Sequence, residues 1–88
     1  MVSEKIVIRT EKGLHLRPAG KICDLALSFK SHSRMKIGDS VYNLKSMLSV
    51  LSAQVTSGVE IEITCEGADE KEALKALCDL MTGDLDAS

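Results

Sequence analysis

The segment Gly13-Leu14-His15-Leu16-Arg17-Pro18-Ala19 holds the residues best suited to chemistry. It sets an imidazole where a helical pattern begins, a guanidinium two residues on, and a proline in the first turn. The first N–H groups of a helix have no internal partner and, with the helix dipole, form a ready anion site. Arg17 adds a permanent charge and a planar fork of donors suited to phosphate oxygens. Pro18 is tolerated in a first turn because the N–H it lacks would be unpaired there anyway. Gly13 lets the approaching chain turn sharply. A neutral imidazole in that setting is a nucleophile facing a preformed phosphate pocket. Its phosphoramidate product is easily loaded and easily unloaded, which suits a carrier, whereas a serine phosphoester would be too stable. A solitary histidine near a helix start is ordinarily a cap or a surface residue. The complete Gly-x-His-x-Arg-Pro-Ala string is what sets His15 apart.

The remaining polar candidates read more plainly. His32 falls in a Ser31-His32-Ser33 loop with no partner in view, as a solvated side chain. Lys45 reads as an exposed lysine, with phosphate or partner contact as the sharper option. Glu60, Glu62 and Glu66 read as the wet face of a strand rather than paired catalytic acids. Cys23, Cys65 and Cys78 are odd in number and form no Cys-x-x-Cys pair, so zinc and redox motifs find no support, and buried free thiols are expected. No metal and no cofactor is expected. Net charge is −2 with no basic run, and aromatic residues make up only 2 % of the chain. Both features argue against nucleic acid as a partner. No apolar run approaches the ~18–20 residues of a membrane span, and Met1 to Lys5 lacks the basic and apolar regions of a signal peptide, so a cytoplasmic location is expected.

The elements that must position these residues follow from periodicity. With 88 residues, 44 % apolar and 27 % charged, the chain suits one domain over 1–88. Val2 to Thr10 is β-branched and reads as a strand broken by Glu11-Lys12-Gly13. Ala19, Ile22, Cys23 and Ala26 form one face of a helix from His15 to about Phe29. Arg34 to Ile37 and Ser40 to Leu44 read as strands joined at Gly38-Asp39, a tight turn that asks for positive φ at the glycine. Ser46 opens a short helix with Met47, Val50 and Leu51 on its apolar side and Leu48 at its margin. In Val59 to Glu66, apolar and polar residues alternate strictly, which means a strand with one buried face. Asp69 followed by Glu72 resembles a capping box ahead of a last helix carrying Leu74, Leu77, Cys78 and Met81. Gly83 is the expected stop, with a frayed tail from Asp84 to Ser88. The order is β-α-β-β-α-β-α.

The His15 string, the segment Asn43-Leu44-Lys45-Ser46-Met47-Leu48 and the segment Glu66-Gly67-Ala68-Asp69-Glu70 resemble, in register and over nearly the whole chain, the HPr family of histidine-phosphorylated carriers. The resemblance implies an α+β open-faced β-sandwich, a four-stranded antiparallel sheet with three helices on one face. It implies that His15 takes a phosphoryl group at Nδ1 from phosphorylated enzyme I, itself loaded from phosphoenolpyruvate. His15 then passes the group to IIA domains of sugar-specific enzymes II. Arg17 would steady the phosphate, the amides of Leu16 and Arg17 would bind its oxygens, and Pro18, counted with them as phosphate-binding, would shape the turn. The chain is thus expected to be a carrier and co-substrate rather than an enzyme, and a monomer.

Ser46 has two compatible readings. It suits the N-cap of the short helix. In the Gram-positive branch, which the Met47-Leu48 pair resembles, the matching serine is phosphorylated by HPr kinase/phosphorylase, and that form binds a catabolite control repressor. Met47, Leu48 and Leu51 would form an apolar docking patch between the two phosphorylation sites, although their spacing also suits core packing. The chain departs from the family pattern at Leu16, where a small residue is usual, at Gly20, and at Ser49 and Gln54, where glycine is frequent. These departures bear on partner affinity and kinase recognition.

Three other readings compete. One is a regulatory module acting only through Ser46. Another is a carrier in a nitrogen-related or dihydroxyacetone phosphotransfer chain. The third is an acylphosphatase-like hydrolase using Arg17 and Asn43, which leaves the His15 string unexplained.

Overall fold

The computed structural model describes residues 1–9 and 13–83. The expected strand end at Thr10, the break at Glu11-Lys12 and the tail from Asp84 lie outside the described residues. The elements are β1 (Val2–Val7), α1 (Leu16–Leu27), β2 (His32–Ile37), β3 (Ser40–Asn43), α2 (Met47–Ser52), β4 (Glu60–Glu66) and α3 (Glu70–Thr82). The strands form one antiparallel sheet in the order β1-β4-β2-β3. The β-α-β-β-α-β-α order and the open-faced sheet are those expected.

Alternation decides which face is covered. Ile6 pairs with Ile61, while Ser33 and Met35 pair with Cys65 and Ile63, and all six are buried. The three helices pack over this face. Ile22 and Ala26 of α1, Val50 of α2 and Leu77 and Met81 of α3 close the core with Leu44 and Ile8, all without exposed surface. Each such large side chain contributes roughly 1.5–3 kcal/mol of burial. The opposite face carries charges in cross-strand register, with Glu62 between Lys5 of β1 and Lys36 of β2.

Three boundaries differ from the sequence reading. His32 and Ser33 belong to β2 rather than to a loop, because they pair with Glu66 and Cys65 of β4, and this pairing overrides their polar composition. His32 remains exposed. β1 ends at Val7, yet Ile8 stays anchored, donating to the Val59 carbonyl at 3.0 Å and accepting from Gly58 N–H at 2.7 Å. α1 ends at Leu27, two residues before Phe29. The β2–β3 turn holds Gly38 at φ 58°, as its two-residue length requires.

Asp69 occupies the N-cap position of α3, but its side chain does not cap the helix. Its carboxylate instead accepts from the Lys30 N–H at 2.8 Å, the Ser31 N–H at 2.9 Å and the Ser31 hydroxyl. The Ser31 hydroxyl and the Lys30 amide, in that order, push its pKa down to about 2. No capping box forms, and Glu70 rather than Glu72 bonds back to the loop ahead of the helix. Its Oε1 accepts from Gly67 N–H at 3.2 Å, and its Oε2 pairs with the N-terminal ammonium at 2.9 Å.

Candidate functional site

The segment leading into α1 is anchored before the helix begins. Leu14 is buried and its N–H donates to the Val55 carbonyl at 2.9 Å. Gly13 sits at φ 69°, and a Cβ there would stand 2.2 Å from that same carbonyl oxygen. Glycine is therefore needed for close approach as well as for its backbone angle. His15 follows as the N-cap of α1, extended at φ −93° and ψ −169°, with its carbonyl accepting from Ala19 N–H at 3.0 Å.

The imidazole of His15 makes no capping hydrogen bond and is exposed. No described residue accepts from the N–H groups of Leu16 or Arg17, and the first turn carries no acidic side chain. Arg17 is exposed and enters no ion pair among the described residues. Pro18 is fully buried and offers no donor, so it contributes shape and packing to the turn rather than a phosphate contact. The helix mouth thus presents a ring nitrogen, two unspent amides, a dipole end and a guanidinium on one short stretch of chain. That arrangement can bind a tetrahedral anion and present it to a docking partner.

Ser46 lies at the N-cap of α2 and its hydroxyl oxygen accepts from Ser49 N–H at 3.2 Å, so the expected cap is present. Ser49 in turn accepts from Asn43 N–H at 2.9 Å through its own hydroxyl. Asn43 Oδ1 accepts from Lys45 N–H at 2.9 Å. Ser49 thereby ties α2 to the end of β3. Along α2, Val50 is buried, Met47 and Leu51 are half-buried, and Leu48 is 79 % exposed. Leu16 is 68 % exposed at the other helix mouth.

Lys45 is half-buried rather than exposed. Its ammonium donates to the Phe29 carbonyl beyond α1 at 2.9 Å, and its own carbonyl accepts from Cys23 Sγ at 3.1 Å. The three cysteines are free and buried. Burial pushes the Cys65 thiol up, and the Cys78 thiol to about 11, so both stay protonated near neutrality. Among the described residues no His, Cys, Asp or Glu cluster could hold a metal ion. No helix of the described residues is long and apolar enough to cross a membrane.

Sequence reasoning missed Val55, because its role lies in a backbone carbonyl that any residue possesses. It did single out Gln54 as a departure from glycine. Among the described residues, Gln54 is the non-glycine residue at positive φ, 51°, a conformation that glycine takes most readily.

Residues 2–83 match the family model described as the PTS HPr component phosphorylation site. The phosphocarrier protein HPr of Neisseria meningitidis is 37 % identical over 83 residues, covering 94 % of this chain and 93 % of that one. The crystal structure of HPr-C-His from Thermoanaerobacter tengcongensis superposes with a TM-score of 0.94 at 33 % identity, covering 100 % of this chain and 99 % of that one. The Bacillus subtilis catabolite repression protein Crh, solved as a domain-swapped dimer, gives a TM-score of 0.76 at 32 % identity, covering 92 % and 93 % of the two chains.

Proposed function

The chain belongs to the HPr family of phosphocarriers of the phosphotransferase system, and from that membership we propose that His15 is its phosphoryl acceptor, loaded by phosphorylated enzyme I and unloaded onto IIA domains of sugar-specific enzymes II. The protein is a phosphocarrier and not a catalytic enzyme. The observation that carries the His15 reading is its uncommitted imidazole at the mouth of α1, beside the unspent amides of Leu16 and Arg17.

In the transfer, the Nδ1 lone pair attacks phosphorus while the bond to the donor's nucleophile breaks, and the ring keeps its proton on Nε2. The Leu16 and Arg17 amides and the Arg17 guanidinium hold the phosphoryl oxygens, and the reverse geometry serves unloading. Incubation with phosphoenolpyruvate and enzyme I is expected to place an acid-labile, base-stable phosphate on the wild type and none on His15→Ala. Label that persists in the variant refutes the assignment. Added IIA domain discharges the carrier, whereas a hydrolase would release phosphate unaided.

Ser46 is the second phosphorylation site in this reading, modified by an HPr kinase/phosphorylase to give a form that engages a catabolite control repressor. Its support is the family resemblance around Ser46 and the likeness to Crh. Phosphate adds about −1.5 to −2 charges to a surface that must dock an anionic phosphodonor. Ser46→Asp is therefore expected to slow loading of His15 by enzyme I, and equal initial rates for the two proteins would remove the proposal's basis. Leu48, with Met47 and Leu51 at its flanks, is the docking patch in this reading. The likeness to Crh also favours a second reading, a module acting only through Ser46. Label on His15 separates the two.

A further inference from the structure

We propose that the turn leaving α2 is a positioning element of the His15 site, and that Gln54 sets it by holding a left-handed backbone. This rests on His15 being the phosphoryl acceptor.

α2 ends at Ser52 with Ala53 as its C-cap, and the Gln54 N–H closes the last turn onto the Leu51 carbonyl at 3.2 Å. Gln54 then takes φ 51°, with its side chain exposed. A left-handed residue just past a helix end redirects the chain sharply. The redirected residue is Val55, which is buried. Its carbonyl receives the Leu14 N–H at 2.9 Å and fills the space that a side chain at Gly13 would need. His15 is the next residue. The direction of one carbonyl, fixed by the Gln54 backbone, therefore locates both residues that precede the imidazole. Should Gln54 leave the left-handed region, the following peptide swings away, the Leu14 N–H loses its acceptor, and the helix mouth loses its footing.

Three substitutions test this. Gln54→Val disfavours positive φ most strongly, whereas Gln54→Asn and Gln54→Gly permit it. Two quantities are read on each protein: hydrogen exchange at the Leu14 amide, and the kcat and KM of phosphoryl transfer from enzyme I to His15. Gln54→Val is expected to lose Leu14 protection and to lower kcat by on the order of 10- to 100-fold at unchanged KM, the signature of a misplaced acceptor. Gln54→Asn and Gln54→Gly restore both. Because glycine has no side chain, its rescue excludes a lost contact between Gln54 and enzyme I.

A Leu14 amide that stays protected in Gln54→Val overturns the proposal, as does exposure of that amide with kcat intact. A defect confined to KM, the mark of partial unfolding, overturns it too, and so does a glycine variant as impaired as the valine one. Absence of label on the wild-type chain overturns the carrier reading together with this proposal, whereas a labelled wild type with an unaffected valine variant overturns this one alone.

Discussion

Gly13 and Gly20 lie on either side of the α1 entrance and make opposite demands. A Cβ on Gly13 meets the Val55 carbonyl at 2.2 Å from a backbone already at φ 69°, while a Cβ on Gly20 meets nothing within 4 Å. Gly13→Ala is expected to lower unfolding stability by about 1–3 kcal/mol. Because the strain falls next to His15, the proposed phosphoryl loading is expected to slow as well. Gly20→Ala removes the flexibility of a mid-helix glycine and is expected to raise stability by about 0.5–1 kcal/mol. Urea midpoints measured side by side decide the pair, and equal midpoints would show that the Val55 contact does not constrain the loop. The same attention to single atoms separates His15 from His32. Both are exposed, but only His15 has unspent helix amides beside it.

At the scale of elements, α3 is joined to the α1–β2 connection through one carboxylate. Asp69 accepts from Lys30 and Ser31, and its pKa falls from 3.8 to about 2. A carboxyl group whose folded pKa is depressed stabilises the fold above its unfolded value, and that contribution is lost as pH falls through the folded one. Wild-type stability should therefore drop between about pH 4 and pH 2 by more than that of Asp69→Asn, which has no charge to lose. Parallel stability profiles for the two across that window, followed by circular dichroism in denaturant, would rule the latch out. This contact also marks where the sequence stopped being readable. The N-cap position of Asp69 was legible from local pattern, but its hydrogen bonds span 38 and 39 residues, and no local pattern records them. β4 was legible because alternation alone defines it, whereas the start of β2 was hidden in Ser31-His32-Ser33, whose strand character comes from pairing with β4. The candidate site at His15 shows in the sequence because imidazole, amides and guanidinium are neighbours in the chain. Its anchor at Val55 does not, being a long-range contact through a backbone atom.

At the scale of the whole molecule, the first strand of the sheet stays with its own chain. β1 pairs with β4 of the same chain over all six of its residues, and the N-terminal ammonium meets Glu70 at the start of α3. A single-chain mass is therefore expected by light scattering at micromolar concentration. A two-chain mass would instead point to exchange of an element between copies, the arrangement for which Crh was named as domain-swapped. The bare side of the sheet bears on a different question. Lys5, Glu62 and Lys36 lie there in register, away from the helices whose mouths carry His15 and Ser46. What that side must supply is extended backbone, a period-two pattern and a near balance of opposite charges, and many residue combinations meet those terms. A lineage adapting to new salinity or crowding can therefore rewrite this half of its surface, one strand position at a time, while the relay on the other half continues undisturbed.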